Sequence, residues 1–243
     1  MTFSIIITCK DYLEAHECIR ACDRLNHFNY ELLVMTGDDP PGIKRDSASK
    51  IARGDILAFL DSDAYPDAEW LNEAEKVFNG DIGAVCGPGV TPPTDNLRQK
   101  ASGLIYALSP YKYRYFPCKA RDVEDFPSCN LFVRKSLFNK IGGFSTPHWP
   151  GEDTLLCLKI IAEGKRVVYH PAVLVYHHRR ELFKKHLAQV LRYAKMRGYF
   201  AKKHPRTSLQ ILYVLPTLFF LITLGIVLNY LIYGLFFLIG VFK

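Results

Sequence analysis

Residues 209–242 contain no charged side chain, and no other feature limits so severely what this chain can fold into. A globular core cannot cover 34 consecutive uncharged, mostly apolar residues, so the segment reads as a membrane segment. As a single helix it would rise about 51 Å at 1.5 Å per residue, well beyond the roughly 30 Å hydrocarbon core. Two arrangements satisfy that length: one span with an interfacial tail, or two short spans that turn near residues 225–230. In the second, the shortness of the last span implies a natural chain that continues past Lys243. The first 208 residues mix charged and apolar positions as a globular domain does.

The net charge of +7 is concentrated just before the apolar segment. Residues 179–206 hold ten Lys or Arg against one acid, Glu181, whereas residues 1–178 hold 20 bases and 23 acids. Positive residues that flank a span stay on the cytoplasmic side and are attracted to anionic lipid. Beside an anchor, that basicity suits an anionic membrane surface, and nucleic acid is not expected as a partner. The expected organisation is therefore a domain over 1–178, a basic amphipathic interface region over 179–206 and a transmembrane segment over 207–243, with the domain facing the cytoplasm. Met1-Thr2-Phe3-Ser4 runs straight into an apolar strand, so no signal peptide is expected. The seven cysteines are scattered, and Cys18 and Cys22 lack the further ligands of a zinc site, so they read as small apolar residues in a reducing compartment.

Within the globular part, the apolar run Ile56-Leu57-Ala58-Phe59-Leu60 ends in Asp61-Ser62-Asp63. A buried strand of that kind delivers two carboxylates to the rim of a sheet. Mg²⁺ and Mn²⁺ take oxygen ligands shared between one or two carboxylates and substrate phosphates, although an isolated Asp-x-Asp can equally close a strand as a solvated turn. Strands at residues 4–8 and 30–35, helical spacing over 11–25 and 45–52, and a turn-rich loop at 36–42 precede it. That alternation predicts an α/β sheet with parallel neighbours, which brings Thr8, Asp38, Asp39, Asp61 and Asp63 to the carboxyl edge where ligands gather.

Further along, the pattern predicts a helix over 66–78, a strand over 82–87 and a Tyr- and Pro-rich helix and loop over 91–118, whose aromatics suit either packing or a sugar face. A strand over 126–134 presents Asn130 to a cleft, and a helical turn follows at 135–141. Pro150-Gly151-Glu152-Asp153 opens a helix over 154–163, where the acids serve either as caps or as reactive groups. Strands at 167–170 and 172–176 lead to His177, a surface residue or a ligand. Residues 181–201 carry Phe183, Leu187, Val190, Leu191 and Ala194 among Lys and Arg, the pattern of a helix in a membrane interface.

These pieces resemble the family-2 glycosyltransferases of the GT-A fold across the soluble part. The matching residues are Pro41 to Asp46, Ala52 to Asp55, Phe59 to Asp63, Asn130, Gly142-Gly143-Phe144 and Gly151-Glu152-Asp153. The resemblance implies a Rossmann-like, mostly parallel mixed sheet flanked by helices, with a C-terminal amphipathic interface helix and a transmembrane segment. It implies that Asp63 and Asp61 hold Mg²⁺ or Mn²⁺ and the nucleotide, with His177 as a further metal or diphosphate ligand. Thr8, Asp39, Lys44, Arg45 and Asn130 fall at donor-binding positions, although Lys44 and Arg45 equally suit a helix start at the surface. Asp153 falls at the catalytic base, with Glu152 as its neighbour. Gln189-Val190-Leu191-Arg192-Tyr193 is similar to the Gln-x-x-Arg-Trp motif of membrane polysaccharide synthases, which puts Gln189, Arg192 and Tyr193 at the acceptor or diphosphate. The final Tyr departs from that motif, and the short 39–45 segment omits a helix and strand usual in the family.

The expected function is inverting, metal-dependent transfer of a sugar from a nucleotide-diphosphate donor to a hydroxyl of a lipid-linked or membrane-associated saccharide. Transfer to polyprenyl phosphate is the nearest alternative. An ionised phosphate needs no general base, so Glu152-Asp153 argues against it. A non-catalytic sugar-nucleotide-binding subunit is the alternative from another class, and a nucleotidyltransferase lacks its Gly-rich phosphate loop here.

Overall fold

A computed structural model describes residues 1–108, 111–144, 150–180, 184–203 and 209–241. The chain divides into two compact units, Met1–Arg192 and Tyr193–Lys243.

The first unit is an α/β domain. Strands β1 (Phe3–Thr8), β2 (Tyr30–Met35) and β3 (Ile56–Asp61) pair in parallel in the order β2-β1-β3, with Thr8 opposite both Met35 and Asp61. Their carboxyl ends coincide, so Thr8, Asp61 and the loop carrying Asp38 and Asp39 share one edge, as the alternation predicts. The expected helix over 11–25 is shorter: a 3₁₀ turn (Tyr12–Ala15) and α1 (His16–Cys22). Helix α2 (Pro41–Ile51) begins inside the segment expected to be loop. Pro41 is its first residue, where the missing N–H has no intrahelical partner to lose.

After β4 (Ala64–Pro66) come α3 (Trp70–Val77), β5 (Ile82–Cys86), β6 (Gly89–Val90), α4 (Leu97–Ile105), β7 (Arg121–Asp122) and β8 (Asn130–Arg134). The domain closes with α5 (Lys135–Lys140), α6 (Glu152–Ala162), β9 (Arg166–Tyr169) and β10 (Val175–His177). The main sheet has seven strands in the order β2-β1-β3-β8-β5-β9-β7, and β8 runs antiparallel to both β3 and β5. A second sheet, β4-β10-β6, sits where the strand after the Asp-x-Asp turns out of the main sheet. Gly87 marks the handover between β5 and β6, because a Cβ there would stand 1.8 Å from the Val173 carbonyl oxygen. Phe3, Ile5, Ile7, Ala58, Leu60, Trp70, Val85 and Phe132 fill the core on one face of the sheet. The seven cysteines are free thiols, and all but Cys118 are buried.

Helix α7 (Lys184–Lys203) covers most of the segment expected to be amphipathic, while Glu181 and Phe183, with the side chains of Leu187 and Val190, lie outside what the structure describes. Helix α8 (Leu209–Val241) is continuous over 33 residues, so the hairpin alternative at 225–230 is not taken. Without Pro or a turn-forming pair there, nothing interrupts the backbone hydrogen bonds that an apolar segment must satisfy internally. Its stretch Thr217–Val241 is long and apolar enough to cross a membrane.

Candidate active site

Three consecutive residues of α2 tie the carboxyl edge together. Lys44 is buried, and its ammonium donates to the Gly37 carbonyl at 2.8 Å and to the Cys9 carbonyl, clamping the loops that follow β2 and β1. Arg45, also buried, donates through Nη2 to Asp61 Oδ1 at 2.8 Å and through Nη1 to Glu152 Oε1 at 3.4 Å. The Asp46 carboxylate accepts from the Phe144 N–H at 2.9 Å, and the Phe144 ring lies against the Arg45 guanidinium at 5.5 Å. One helical turn therefore sets the spacing between the Asp-x-Asp and the acid pair at the start of α6.

Among the described residues, Asp61, Asp63 and His177 form a group whose oxygen and nitrogen donors all lie within 4.8 Å of one another. Pairing explains the meeting: β10 places His177 opposite Ala64, the residue after Asp63, and His177 Nε2 stands 3.1 Å from Asp63 Oδ1. His177 is thus the last residue of a strand, not a residue beyond one. Burial opposes charge on both partners, but each holds the other charged: the Asp63 carboxyl is lowered to about 2 and the His177 imidazole is raised well above its ordinary value. Two carboxylates and an imidazole are a donor set that fits Mn²⁺ or Mg²⁺.

Glu152 and Asp153 occupy the first turn of α6, entered through Gly151 at φ +117°, a left-handed conformation that favours glycine. Burial pushes the Asp153 carboxyl up to about 7, and the neighbouring acids Glu152 and Asp125 add to the rise. The N–H groups of Thr154 at 2.9 Å and Ser128 at 3.3 Å hold its two oxygens in place. Burial also raises Glu152, against the pull of Arg45. Asp125 is itself buried, accepting from Arg114 Nη2 at 2.6 Å and from the Thr154 hydroxyl at 2.8 Å. A carboxyl with a pKa near neutrality, fixed at a helix start and linked through Glu152 and Arg45 to a metal-competent cluster, is equipped to take a proton from an attacking group.

The model of glycosyl transferase family group 2 matches residues 56–242, most of the chain. The chain belongs to glycosyl transferase family group 2. It is similar to the pre-mycofactocin glycosyltransferase of Mycobacterium tuberculosis, at 26% identity over 181 residues that make up 74% of this chain and 38% of that protein. It is also similar to the glucosyl-dolichyl phosphate glucuronosyltransferase of Haloferax volcanii, at 22% identity over 160 residues, 60% of this chain and 51% of that one. This family-2 glycosyl transferase chain thus spans about half, or less, of the curated relatives it matches. Among solved structures it resembles the mannosyltransferase PcManGT from Pyrobaculum calidifontis in complex with GDP-Man and Mn²⁺, with a TM-score of 0.60 and 18% identity over 85% of this chain and 65% of that one. The shared fold is the GT-A arrangement that the sequence motifs imply.

Some of the other expected site residues lie inside the domain. Asn130 does not face a cleft: it is fully buried, its oxygen accepts from Trp70 Nε1 at 2.8 Å, and its amide nitrogen donates to the Gly87 and Val173 carbonyls, each at 2.8 Å. These bonds give it a structural role at the junction of the two sheets. Lys44 and Arg45 are buried at the carboxyl edge and not at the surface. Asp39 is exposed in the loop between β2 and α2, and Thr8 lies at the buried end of β1. Gln189, Arg192 and Tyr193 lie on one stretch of α7, the last two exposed. Tyr111 and Tyr113 are buried, with Tyr113 against Phe126 and Tyr169, so packing accounts for that part of the Tyr-rich segment.

Sequence reasoning missed the Arg114, Asp125 and Thr154 network and the buried Arg179. Arg179 counted as part of the basic run, yet it is enclosed, donating to the Gly89 carbonyl and to Thr91 Oγ1 at 3.1 Å, while Asp95 accepts from its N–H and from His178. The available signal was its place two residues after His177, on the strand side of the run.

Proposed function

We propose that this chain carries out inverting transfer of a sugar from a nucleotide-diphosphate donor to a hydroxyl of a lipid-linked or membrane-associated saccharide. The observation that carries the reading is the pairing of the Asp61, Asp63 and His177 cluster with an acid pair whose Asp153 is raised to about 7. Asp61, Asp63 and His177 would hold Mn²⁺ or Mg²⁺, which supplies charge neutralisation for a departing diphosphate. Arg45 keeps Asp61 oriented and neutralises Glu152. Asp153 accepts the proton of the acceptor hydroxyl as the oxygen attacks the sugar's anomeric carbon from the face opposite the leaving group. Thr8 and Asp39 line the edge for the nucleotide, and Gln189, Arg192 and Tyr193 serve the acceptor or diphosphate. The Mn²⁺ and GDP-Man of the Pyrobaculum complex support the donor chemistry, and the glucosyl-dolichyl phosphate named for the Haloferax relative is itself a lipid-linked saccharide. Helix α8 is the anchor, and the adjoining Lys and Arg residues hold the catalytic unit on the cytoplasmic face of an anionic membrane.

The test is nucleoside-diphosphate release from a panel of sugar nucleotides by the reconstituted chain, with and without Mn²⁺, with lipid extract as acceptor source. Release from one donor that requires metal, rises with extract and falls by about 10²-fold or more in Asp153→Asn is the expected result. Near-normal turnover of Asp153→Asn would shift the reading to a phosphate acceptor, and donor binding without release across the panel would shift it to a non-catalytic subunit.

A further inference from the structure

Helix α4 has its polar side turned inward. Asn96 caps it and Gln99 completes the capping box, after which Gln99 Nε2 donates to the Arg179 carbonyl at 2.9 Å. Ser102 and Gly103 are buried on the same side, and a Cβ on Gly103 would stand 2.4 Å from Thr91 Oγ1. The small and polar face is therefore the packed one. The opposite face carries Leu97, Leu104 and Ile105, which are 85%, 65% and 52% exposed, with Ala101 between them. These positions are i, i+4, i+7 and i+8, a single apolar stripe. Exposed Arg98 and Lys100 border it on either side, and α4 contains no acid.

An apolar stripe edged with cations suits a layer that is apolar below and anionic above. A second copy of this chain fits less well, since a two-fold pairing of the stripe would set Arg98 and Lys100 against their own copies. With the bilayer anchoring every copy through α8, the lipid surface is also the partner at highest effective concentration.

We propose that the outward face of α4 seats in the headgroup region of an anionic bilayer, with Leu97, Leu104 and Ile105 among the acyl chains and Arg98 and Lys100 on lipid phosphates. This contact is separate from the basic run of residues 184–206 and rests on the reading that α8 is membrane-embedded. Because α4 holds Arg179 from behind, it fixes the strand end bearing His177 at the lipid surface, where a lipid-linked acceptor presents its head.

The experiment uses the full chain with Cys118→Ser, which removes the one cysteine that is not buried. A single labelling site is then introduced as Leu104→Cys, or as Phe28→Cys for a control in the turn before β2, where Phe28 is 97% exposed. Each carries an environment-sensitive fluorophore, and the protein is reconstituted in phosphatidylglycerol vesicles containing brominated lipid. The expected result is a blue shift and loss of emission at position 104, none at position 28, and a smaller loss after Arg98→Glu with Lys100→Glu. Protein that floats with the vesicles while position 104 stays unquenched overturns the α4 contact and leaves the anchor intact. Protein that neither floats nor quenches overturns both. Shielding of position 104 that grows with protein concentration in detergent, without quenching in vesicles, assigns the face to a second copy and overturns the lipid contact.

Discussion

At Asp153 local and tertiary effects oppose each other. A carboxylate in the first turn of a helix is ordinarily stabilised in its charged form, and the Thr154 N–H acts in that direction. Burial and the nearby Glu152 and Asp125 carboxyls prevail and bring the group to about 7. A base must be deprotonated to act, so kcat/KM should fall as pH drops below about 7, by roughly tenfold per pH unit. A rate–pH profile that stays flat down to the ordinary carboxylate range would remove Asp153 from that role. The Asp-x-Asp was legible as a pair because two carboxylates after an apolar run have a fixed local geometry. That His177 completes the cluster depends on the antiparallel pairing of β10 with β4, 113 residues apart between Ala64 and His177, which no local pattern encodes.

Elements were legible by type and imprecise at their ends. The apolar runs of β1, β3 and β5 stand where the pattern predicts, whereas α2 begins at Pro41 because proline fits a first helical turn as well as it fits a loop. Strand β8 was also legible, but its direction was not: it enters antiparallel between β3 and β5, turning Asn130 into the interior. There Asn130 ties Trp70 of α3 to the carbonyls of Gly87 and Val173. Asn130→Leu should leave these buried groups unpaired and cost about 2–4 kcal/mol, read as a lower Tm. Its donor KM, measured well below that Tm, should be unchanged. A large rise in KM at full stability would restore the donor contact that the sequence motif implies.

For the molecule as a whole, the raised Asp153 carboxyl makes stability depend on pH. An acid whose folded pKa is raised above 3.8 binds more protons folded than unfolded, so stability is lost as pH rises from the unfolded value through about 7. Asp153→Asn removes that dependence together with the carboxyl proposed as the base. The Tm difference, variant minus wild type, should therefore grow between pH 6 and pH 8, by a few degrees for a unit of this size. A difference independent of pH would mean that Asp153 is already charged at the lower value. The charge distribution belongs to the same scale: the +9 of residues 179–206 adjoins the apolar segment, the asymmetry on which the proposed membrane orientation rests.

Sequence alone determined the α/β alternation, the long apolar C-terminal segment and the carboxylates at the rim, because periodicity, turn residues and the absence of charge are local properties with a direct physical meaning. The family motifs in order and spacing extended that reading to the GT-A fold. Only the tertiary structure decided that Arg45 links Asp61 to Glu152, which strand pairing brings His177 onto Asp63, that Asn130 and Arg179 are buried, and that α4 presents its apolar face outward. Each of these depends on strand order and on which face of an element meets a neighbour. Those are set by the free energy of the whole packed domain and not by any single stretch of the chain.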